Sequence, residues 1–528
     1  MSFFIAEQAA ITPRAAAAAF KDQRLTYEEL NGRANQLAHY LQRLGTVPGQ
    51  LIAISMDPSL DMLVSLLAIW KAGCAYVPLD PSYPEKRLDY ILEDTGASVL
   101  ISQSNLAEKW ADRQCRLVYL DDERDQLAQE SNANLPLKSF TPDNLAYVIH
   151  TSGSTGEPKG VRISRRNVTN FLLAMQQQPG LGRDNILLAV TTLSFDISVL
   201  ELFLPLISGA MVVLAGRDVA ADGRLLASLP EESQATVMQA TPATWIMLLD
   251  SGWGGRPTLK VLCGGEAMPL DLPERLLPRA AELWNMYGPT ETTVWSSVYR
   301  VKSVVDQISI GRPIANTTMC VLDETMQPVP AGIHGELYIG GLGVSSGYLN
   351  KPELTASRFV DDPFSDKANA ILFKTGDSAR YLLDGNIVIL GRLDQQVKYH
   401  GSRIELAEIE HALNSHTSVA RSVAAVLDDE DGSKRIVIYH IPADREKHPD
   451  NILHDHLSSM LPAYMVPSRF VALEEFPLTP NLKIDRSALP RPDRIRPNLQ
   501  TFIVPPSNET EIKLAGIWCD LLQIDNVA

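Results

Sequence analysis

The sequence LAYVIHTSGSTGEPKG, residues 145–160, decides the fold of this chain. Its first six residues are mostly apolar, which predicts a buried strand, and the strand leads straight into a glycine-rich loop. Backbone N–H groups beside glycine approach an oxyanion closely, hydroxyls add donors, and a lysine adds positive charge. We therefore expect a triphosphate to bind here through Thr151, Ser152, Gly153, Ser154, Thr155, Gly156 and Lys159.

Two other interpretations of this loop fit less well. A Walker A loop requires the pattern GxxxxGK[ST], but Pro158 stands at the position of its second glycine and Gly160 at that of its hydroxyl residue. A flexible surface turn would not need an entering strand, a proline and a lysine in this order. The pattern therefore indicates a phosphate-binding loop of another kind.

The pattern around the loop predicts layered α/β structure. Residues 51–55 and 97–102 predict strands and residues 60–72 predict a helix, an alternation typical of parallel α/β layers. Residues 309–391 contain closely spaced strands and turns, which predict a small antiparallel sheet or barrel. Beyond residue 394 the pattern is α+β again. Because 528 residues exceed what one hydrophobic core usually supports, we expect at least two compact units.

Composition and charge exclude several classes of protein. The formal net charge of −16 argues against the basic surface of a nucleic-acid binder. The five cysteines form no CxxC pair, so we expect neither a disulfide scaffold nor a structural zinc site. The N-terminal residues lack the pattern of a signal peptide, and the apolar runs are interrupted by polar residues. We expect a cytoplasmic protein with neither a nucleic acid nor a membrane as partner.

Further motifs follow one another in a fixed order along the chain. Taken with the loop, they resemble the adenylate-forming superfamily, and most closely the amino-acid-activating adenylation domains of nonribosomal peptide synthetases. The resemblance covers nearly the whole chain. The motifs are LTYEEL (25–30), WKAGCAYVPLD (70–80), NMYGPTE (285–291), GELYIGG (335–341), FKTGD (373–377), GRLDQQVK (391–398), LPAYMVP (461–467) and PLTPNLKIDR (477–486).

The resemblance implies an α/β fold in which a large N-terminal domain, made of two α/β subdomains plus a small β-barrel, precedes a smaller, mobile α+β C-terminal domain. In this chain the adenylation core would span residues 1–393 and the C-terminal lid domain residues 394–493. A proline-spaced linker would follow at 494–506, and residues 507–528 resemble the start of a peptidyl carrier domain.

The resemblance also implies a two-step reaction. An amino acid is activated with ATP as aminoacyl-AMP, pyrophosphate is released, and the acyl group passes to the phosphopantetheine thiol of a carrier domain, as in the biosynthesis of peptide antibiotics. Mg²⁺ is a further implied cofactor, and a condensation domain is a further implied partner. Such phosphoryl chemistry depends on positioning and charge neutralisation more than on a covalent nucleophile, and the sequence shows no nucleophile motif.

Two alternatives share much of this pattern. An acyl- or aryl-CoA ligase of the same superfamily would use the same ATP machinery but discharge its product to CoA. A non-catalytic scaffold would keep the fold to bind a partner. The aspartate of the FDIS segment (195–198) and the carrier-like terminal segment disfavour the first, and the complete nucleotide motifs disfavour the second.

The resemblance assigns the nucleotide contacts to five residues. Tyr287 would stack under the adenine and Asn285 would recognise its edge. Asp377 would accept both ribose hydroxyls, with Arg392 also reaching the ribose. Glu291 would hold Mg²⁺ as a hard oxygen ligand.

Three residues are implied to act in the reaction itself. Lys483 would bridge the substrate carboxylate and the α-phosphate while negative charge is redistributed, and Thr290 would donate to the same phosphate. Asp394 resembles the hinge about which the small domain rotates between the two half-reactions.

The substrate pocket follows from the same motifs. Asp196 resembles the carboxylate that pairs with the α-ammonium of an amino acid, although an aspartate that caps the next helix, predicted from Ser198 to Leu206, is the alternative. The implied set resembles pockets for glycine or another small neutral amino acid. The remaining pocket positions are Ile197, Leu200, Ala240, Leu262, Gly264, Met286, Val294 and Trp295.

Overall fold

The computed structural model describes most of the chain. Three of the expected site residues, Ser154, Thr155 and Lys483, lie outside the described residues. The described ranges are 2–136, 141–153, 156–394, 396–399, 402–428, 434–443, 450–477, 484, 486–492 and 506–522.

Within the described ranges, the strands belong to five sheets. In chain order they are β1 (Ala16–Phe20), β2 (Gln23–Thr26), β3 (Leu51–Ile54), β4 (Ala75–Pro78), β5 (Val99–Ser102), β6 (Arg116–Tyr119), β7 (Leu145–Thr151), β8 (Lys159–Ser164), β9 (Ile186–Ala189), β10 (Met211–Leu214), β11 (Val237–Ala240), β12 (Arg256–Gly264), β13 (Ala280–Tyr287), β14 (Ser297–Val301), β15 (Arg312–Pro313), β16 (Thr317–Leu322), β17 (His334–Gly341), β18 (Phe359–Asp361), β19 (Ile371–Tyr381), β20 (Ile387–Arg392), β21 (Gln396–Tyr399), β22 (Ser402–Glu405), β23 (Val419–Asp428), β24 (Lys434–Pro442) and β25 (Arg469–Ala472).

The helices lie mainly between and outside the sheets. Within the described ranges, none is long and apolar enough to cross a membrane. In chain order they are α1 (Ser2–Ile11), α2 (Tyr27–Arg43), α3 (Leu60–Lys71), α4 (Glu85–Thr95), α5 (Ala107–Trp110), α6 (Arg124–Ala128), α7 (Arg165–Met175), α8 (Ser198–Ser208), α9 (Arg217–Ala221), α10 (Gly223–Glu232), α11 (Pro242–Asp250), α12 (Leu272–Leu276), α13 (Pro352–Arg358), α14 (Leu406–Asn414), α15 (Asp450–Ser458) and α16 (Glu509–Leu522).

Two largely parallel sheets form the body of the large domain. One has six strands in the order β6-β5-β3-β4-β7-β8, and only its β7–β8 pair is antiparallel. The other has nine strands in the order β15-β14-β13-β12-β11-β9-β10-β1-β2, parallel from β13 to β1. Every residue of helix α3 except Asp61 is buried, because the helix packs within the main core. The predicted α/β layers are confirmed.

The third sheet of the large domain is antiparallel. Strands β16, β17, β19 and β18 pair in that order, and β20 pairs with the end of β19. It occupies the stretch for which closely spaced strands predicted a small antiparallel sheet or barrel. Its β19–β20 pair brings Asp377 directly opposite Arg392. The sheet therefore positions two of the expected nucleotide contacts.

The C-terminal domain has its own small core. Strands β23 and β24 are antiparallel, β25 runs parallel to β24, and α14 packs on β23. Apolar residues of α14, the sheet and α15 form one cluster that includes Ile409, Ile438 and Leu453. This α+β unit agrees with the expected architecture of a large domain followed by a smaller one.

Candidate active site

The phosphate loop turns between the antiparallel strands β7 and β8. A Cβ atom on Gly153 would lie 1.8 Å from the carbonyl oxygen of Glu157, so only glycine fits there. Gly156 has a φ of +87°, in the left-handed region that glycine favours. Among the described residues, the buried hydroxyl of Thr151 has no hydrogen-bond partner. A tight loop with a spare donor suits an anionic ligand.

The lysine of the loop faces a buried carboxylate. Lys159 Nζ lies 3.4 Å from Glu291 Oε1 and 4.9 Å from the centre of the Tyr348 ring. The Tyr348 hydroxyl donates to the same Glu291 oxygen at 2.8 Å. The structure thus brings the expected phosphate ligand Lys159 together with the expected magnesium ligand Glu291.

A large cavity opens between the two domains. It has a volume of about 930 Å³, within the range of small-molecule sites. The large domain contributes Asn285, Tyr287 and Asp377 to its wall, and the small domain contributes Val426 and Arg486. The expected adenine and ribose contacts therefore line one space that is large enough for a nucleotide.

A hydrogen-bond cluster orders the ribose end of this cavity. Arg392 donates from Nη1 to Asp377 Oδ1 at 2.9 Å, and the Tyr287 hydroxyl donates to the other carboxylate oxygen. The Asn285 amide donates to the carbonyl of Ser309 at 2.8 Å. An amide has two N–H donors and a carbonyl oxygen, so this bond uses only one of the hydrogen-bonding groups of the Asn285 side chain.

The expected hinge residue belongs to the same cluster. Asp394 receives hydrogen bonds from Nε and Nη2 of Arg392 at 2.9 and 2.7 Å, and Arg358 lies 3.3 Å away. Burial opposes ionisation, but the charge and hydrogen bonds of Arg392 outweigh it and lower the pKa of Asp394. Asp394 is therefore an anion tied to the large domain.

Asp196 lies in a buried aromatic environment. Burial and then the nearby charge of Asp196 raise the pKa of Tyr76 well above its usual value. Burial, the neighbouring Tyr76 and then Asp196 raise the pKa of Tyr147 in the same way. The N-cap residue of α8 is Ile197, and it makes no side-chain cap. The cap position of the helix is thus not occupied by Asp196.

Most of the expected pocket positions are brought together. Ile197, Leu200, Leu262, Met286, Val294 and Trp295 belong to one core cluster. The Trp295 ring lies against Gly264, where an added Cβ atom would be 2.7 Å from Trp295 Cη2. A small cavity of about 40 Å³ lies beside this wall, lined by Asp196, Thr290 and Trp295 and bordered by Tyr287 of the nucleotide cavity.

The structure corrects the prediction for Ala240, which does not lie with the other expected pocket residues. It lies in a different core cluster with Met238 and Cys263, on the other face of the sheet. Successive side chains of a strand point to opposite faces, so its neighbour Gln239 takes the pocket side. Gln239 is fully buried and its Oε1 accepts a hydrogen bond from Trp295 Nε1 at 2.8 Å. The motif had identified the right strand but placed the pocket position one residue too late.

The loop after β13 holds unusual backbone conformations beside the pocket. Thr293 and Val294 have φ values of +65° and +66°, and a positive φ is a genuine outlier for a β-branched residue such as Val294. A Cβ atom on Gly288 would lie 2.3 Å from the Val294 carbonyl oxygen. Strain of this kind is typical of functional sites, and here it lies between the nucleotide contacts and the pocket wall.

Sequence reasoning missed the residues that support the site. Gln239 and Glu201 were not identified, although a polar side chain within the buried strand β11 and an acidic one within the apolar helix α8 were visible signals. Arg87 and Glu408, which pair across the domain boundary, gave no such signal because 321 residues separate them in sequence.

Comparisons with known protein families identify the family to which the chain belongs. The family model described as AMP-binding enzyme matches residues 5–349. The model described as AMP-binding enzyme C-terminal domain matches residues 408–483. The first match alone covers more than half of the chain.

The curated relatives are much longer proteins, and this chain matches one segment of each. A linear gramicidin synthase protein from Brevibacillus parabrevis is 43% identical over 533 residues, covering 99% of this chain and 7% of that protein. The dimodular nonribosomal peptide synthase of Bacillus subtilis is 41% identical over 490 residues, covering 92% of this chain and 20% of that protein. The chain thus spans only a small part of the curated relatives that it matches.

Solved structures of nonribosomal peptide synthetase proteins also superpose on this chain. A four-domain nonribosomal peptide synthetase bound to AMP and glycine superposes with a TM-score of 0.69 at 37% identity, covering 100% of this chain and 38% of that one. A protein with adenylation and PCP domains, bound to a vinylsulfonamide inhibitor, superposes with a TM-score of 0.84 at 26% identity, covering 100% and 88%. The chain belongs to the AMP-binding enzyme family, and it is an adenylate-forming ligase domain close to the adenylation domains of nonribosomal peptide synthetase modules.

Proposed function

We propose that this chain activates glycine, or another small neutral amino acid, and passes it to the phosphopantetheine thiol of a carrier domain. The observation that carries the proposal is the cavity of about 40 Å³ between Asp196 and Trp295, which borders the nucleotide cavity. A charge-assisted hydrogen bond from the ammonium group of an amino acid to the Asp196 carboxylate would hold the substrate in this cavity. The relative that was solved with AMP and glycine supports the same assignment.

In the first step a carboxylate oxygen of the amino acid attacks the α-phosphorus of ATP. The bond between that phosphorus and the pyrophosphate oxygen breaks, giving aminoacyl-AMP and pyrophosphate. The phosphate loop would hold the leaving pyrophosphate through Gly153 and Lys159, and Thr290 would donate to the α-phosphate. Lys483 would join them between the two reacting groups.

Around the nucleotide, Tyr287 would stack on the adenine, Asn285 would read its edge, and Asp377 with Arg392 would bind the ribose.

Within the described ranges no group of three or more His, Cys, Asp or Glu side chains could hold a metal. Mg²⁺ is commonly bound by one or two carboxylates together with substrate phosphates, so the buried Glu291 beside Lys159 fits this role. When bound, Mg²⁺ neutralises phosphate charge.

In the second step the carrier thiol attacks the acyl carbon, AMP leaves and the thiol proton is released. Rotation of the C-terminal domain about Asp394 would separate the two steps. We also propose that the adenylation core ends at residue 393, the C-terminal domain at 493 and the linker at 506. Residues 507–528 would then form the start of a carrier domain. Helix α16 exposes Ile512, Ile517 and Trp518, which supports its packing against further structure such as the rest of a carrier domain.

The test compares glycine with acetate in ATP–pyrophosphate exchange. The two acids differ by the ammonium group that Asp196 is proposed to bind. We expect the wild type to exchange with glycine and not with acetate, and Asp196→Asn to lose exchange with glycine while it still binds ATP. Exchange with fatty or aryl acids alone would favour a CoA ligase instead.

A further inference from the structure

The wall of the small cavity is held by a chain of hydrogen bonds that starts at a buried carboxylate. We propose that Glu201, acting through Gln239, positions the Trp295 indole and thereby limits the pocket to small side chains. This inference deepens the proposed function and rests on it, because it concerns how the same pocket selects its amino acid.

The Glu201 carboxylate is completely buried and is held by neutral donors. Its Oε2 accepts hydrogen bonds from the backbone N–H groups of Val190 and Thr191, at 2.9 and 3.0 Å. Its Oε1 accepts from the Thr191 hydroxyl at 2.6 Å and from the Gln239 amide at 2.9 Å. Burial raises the pKa of Glu201 to about 7. Every one of these contacts requires an acceptor at position 201.

The amide of Gln239 has only one consistent orientation. Its Nε2 lies 2.9 Å from Glu201 Oε1 and 2.9 Å from the backbone carbonyl of Ile197, and both of these groups are acceptors. The nitrogen must therefore face them, which turns the carbonyl oxygen toward Trp295. Trp295 Nε1 is a donor only and gives its hydrogen bond to that oxygen at 2.8 Å. Glu201 and the Ile197 carbonyl thus together determine which atom Gln239 presents to the indole.

The indole in turn forms the wall of the substrate cavity. It packs so closely on Gly264 that a Cβ atom there would be 2.7 Å from the ring. It also lines the small cavity together with Asp196 and Ile197, and Ile197 is held by the same Gln239 amide. The hydrogen-bond chain therefore joins the ammonium end of the pocket to the wall that closes it.

Substitution of Glu201 by glutamine should disturb this chain with little change of shape. A glutamine would satisfy the two backbone N–H groups with its oxygen and would then point its NH₂ group at the Gln239 NH₂ group. Two donors cannot bond, so the Gln239 amide would keep only the Ile197 carbonyl as its acceptor, and its hold on the Trp295 indole would weaken. The ring would be free to move from Gly264 and admit a larger side chain.

The experiment measures ATP–pyrophosphate exchange with glycine and with L-alanine, as kcat and KM separately. We expect Gln239→Leu to lower the glycine-to-alanine ratio of kcat/KM by about tenfold, within the range that one methylene contributes in an apolar pocket. The change should fall on KM, with kcat for alanine retained. Glu201→Gln should act in the same direction and keeps the inference testable if Gln239→Leu does not fold.

A double-substitution cycle separates positioning from general damage to the core. In a Trp295→Phe background the indole N–H is absent, so Gln239→Leu should change the ratio less than about twofold. Leu206→Val, in the same helix but outside the chain of hydrogen bonds, is the control and should leave the ratio unchanged.

Three outcomes would overturn the inference in distinguishable ways. An equal loss of kcat for both amino acids, or the same change of ratio in the Trp295→Phe background, would reduce Glu201 and Gln239 to structural residues while the proposed function stands. Absence of exchange with any amino acid in the wild type would overturn the proposed function as well.

Discussion

Arg87 of α4 and Glu408 of α14 form an ion pair that joins the two domains. Arg87 Nη1 lies 2.6 Å from Glu408 Oε1, and the two side chains are only 4% and 2% exposed. The other carboxylate oxygen accepts a hydrogen bond from the backbone N–H of Gly153 at 3.3 Å. A single carboxylate of the small domain therefore contacts both the large domain and its phosphate loop.

Removal of the arginine should weaken the docking of the small domain. Breaking a buried ion pair from one side typically costs about 3–5 kcal/mol, because the remaining charge is left uncompensated. We expect Arg87→Met to lower the exchange rate at least about tenfold and to speed limited proteolysis around residue 394.

Two further variants serve as controls for Arg87→Met. Glu408→Gln added to Arg87→Met should recover part of the loss, since it removes the unpaired charge. Arg113→Met breaks an ion pair with Asp89 that lies within the large domain, where the two side chains are 17% and 45% exposed, so it should have little effect. Equal effects of Arg87→Met and Arg113→Met would contradict a special role for the interdomain pair.

The phosphate loop should not tolerate a side chain at Gly153. A Cβ atom would lie 1.8 Å from a backbone oxygen, so the loop must change shape in Gly153→Ala. We expect the KM for ATP to rise about 10–100-fold, equivalent to losing one hydrogen bond to a charged group. Gly182→Ala, where a Cβ atom would meet nothing within 4 Å, is the control. Similar KM values in both variants would show that the loop does not bind ATP.

Lys483 should matter for chemistry and not for ATP binding. We expect Lys483→Ala to lower exchange at least about 100-fold, because a positive charge placed at the reacting phosphate acts mainly in the transition state. Binding of ATP, measured by calorimetry, should persist. Lys513→Ala in the exposed helix α16 provides the comparison. Near-normal exchange in Lys483→Ala would remove this lysine from the mechanism.

The buried carboxyl of Glu201 should make stability depend on pH. Its pKa is about 7 in the folded protein against an ordinary 4.5, so the folded state holds the proton more tightly. Its contribution to stability is therefore complete below about pH 4.5 and is lost as the pH rises through 7. Relative to Glu201→Gln, the wild type should lose on the order of 3 kcal/mol of unfolding free energy between about pH 4 and 8. A difference that does not vary with pH would contradict the raised pKa.

Much of the fold was predictable because local patterns report local structure. The strand at 145–150, the helix at 60–72 and the antiparallel region that begins near 309 followed from hydrophobic spacing and turn residues. The motifs also identified Tyr287, Asp377 and Arg392, which the structure brings into one cluster.

Other features depend on information that no local pattern contains. The face to which a strand residue points depends on which neighbouring layer covers it, so Ala240 was predicted in place of Gln239. The Arg87–Glu408 pair depends on how two domains dock, and the hydrogen bonds of Glu201 depend on the meeting of β9, α8 and β11. Each of these is a tertiary contact. The polar residues within α8 and β11 stand out in the sequence, but their partners do not.

The most direct test of the account is a screen of amino acids in ATP–pyrophosphate exchange by the wild-type chain. The buried carboxylate of Asp196 and the Trp295 wall predict strong exchange with glycine, weaker exchange with alanine and little with larger or charged side chains. Exchange that is strongest with a large side chain would contradict the proposed pocket, and no exchange with any amino acid would contradict amino-acid activation itself.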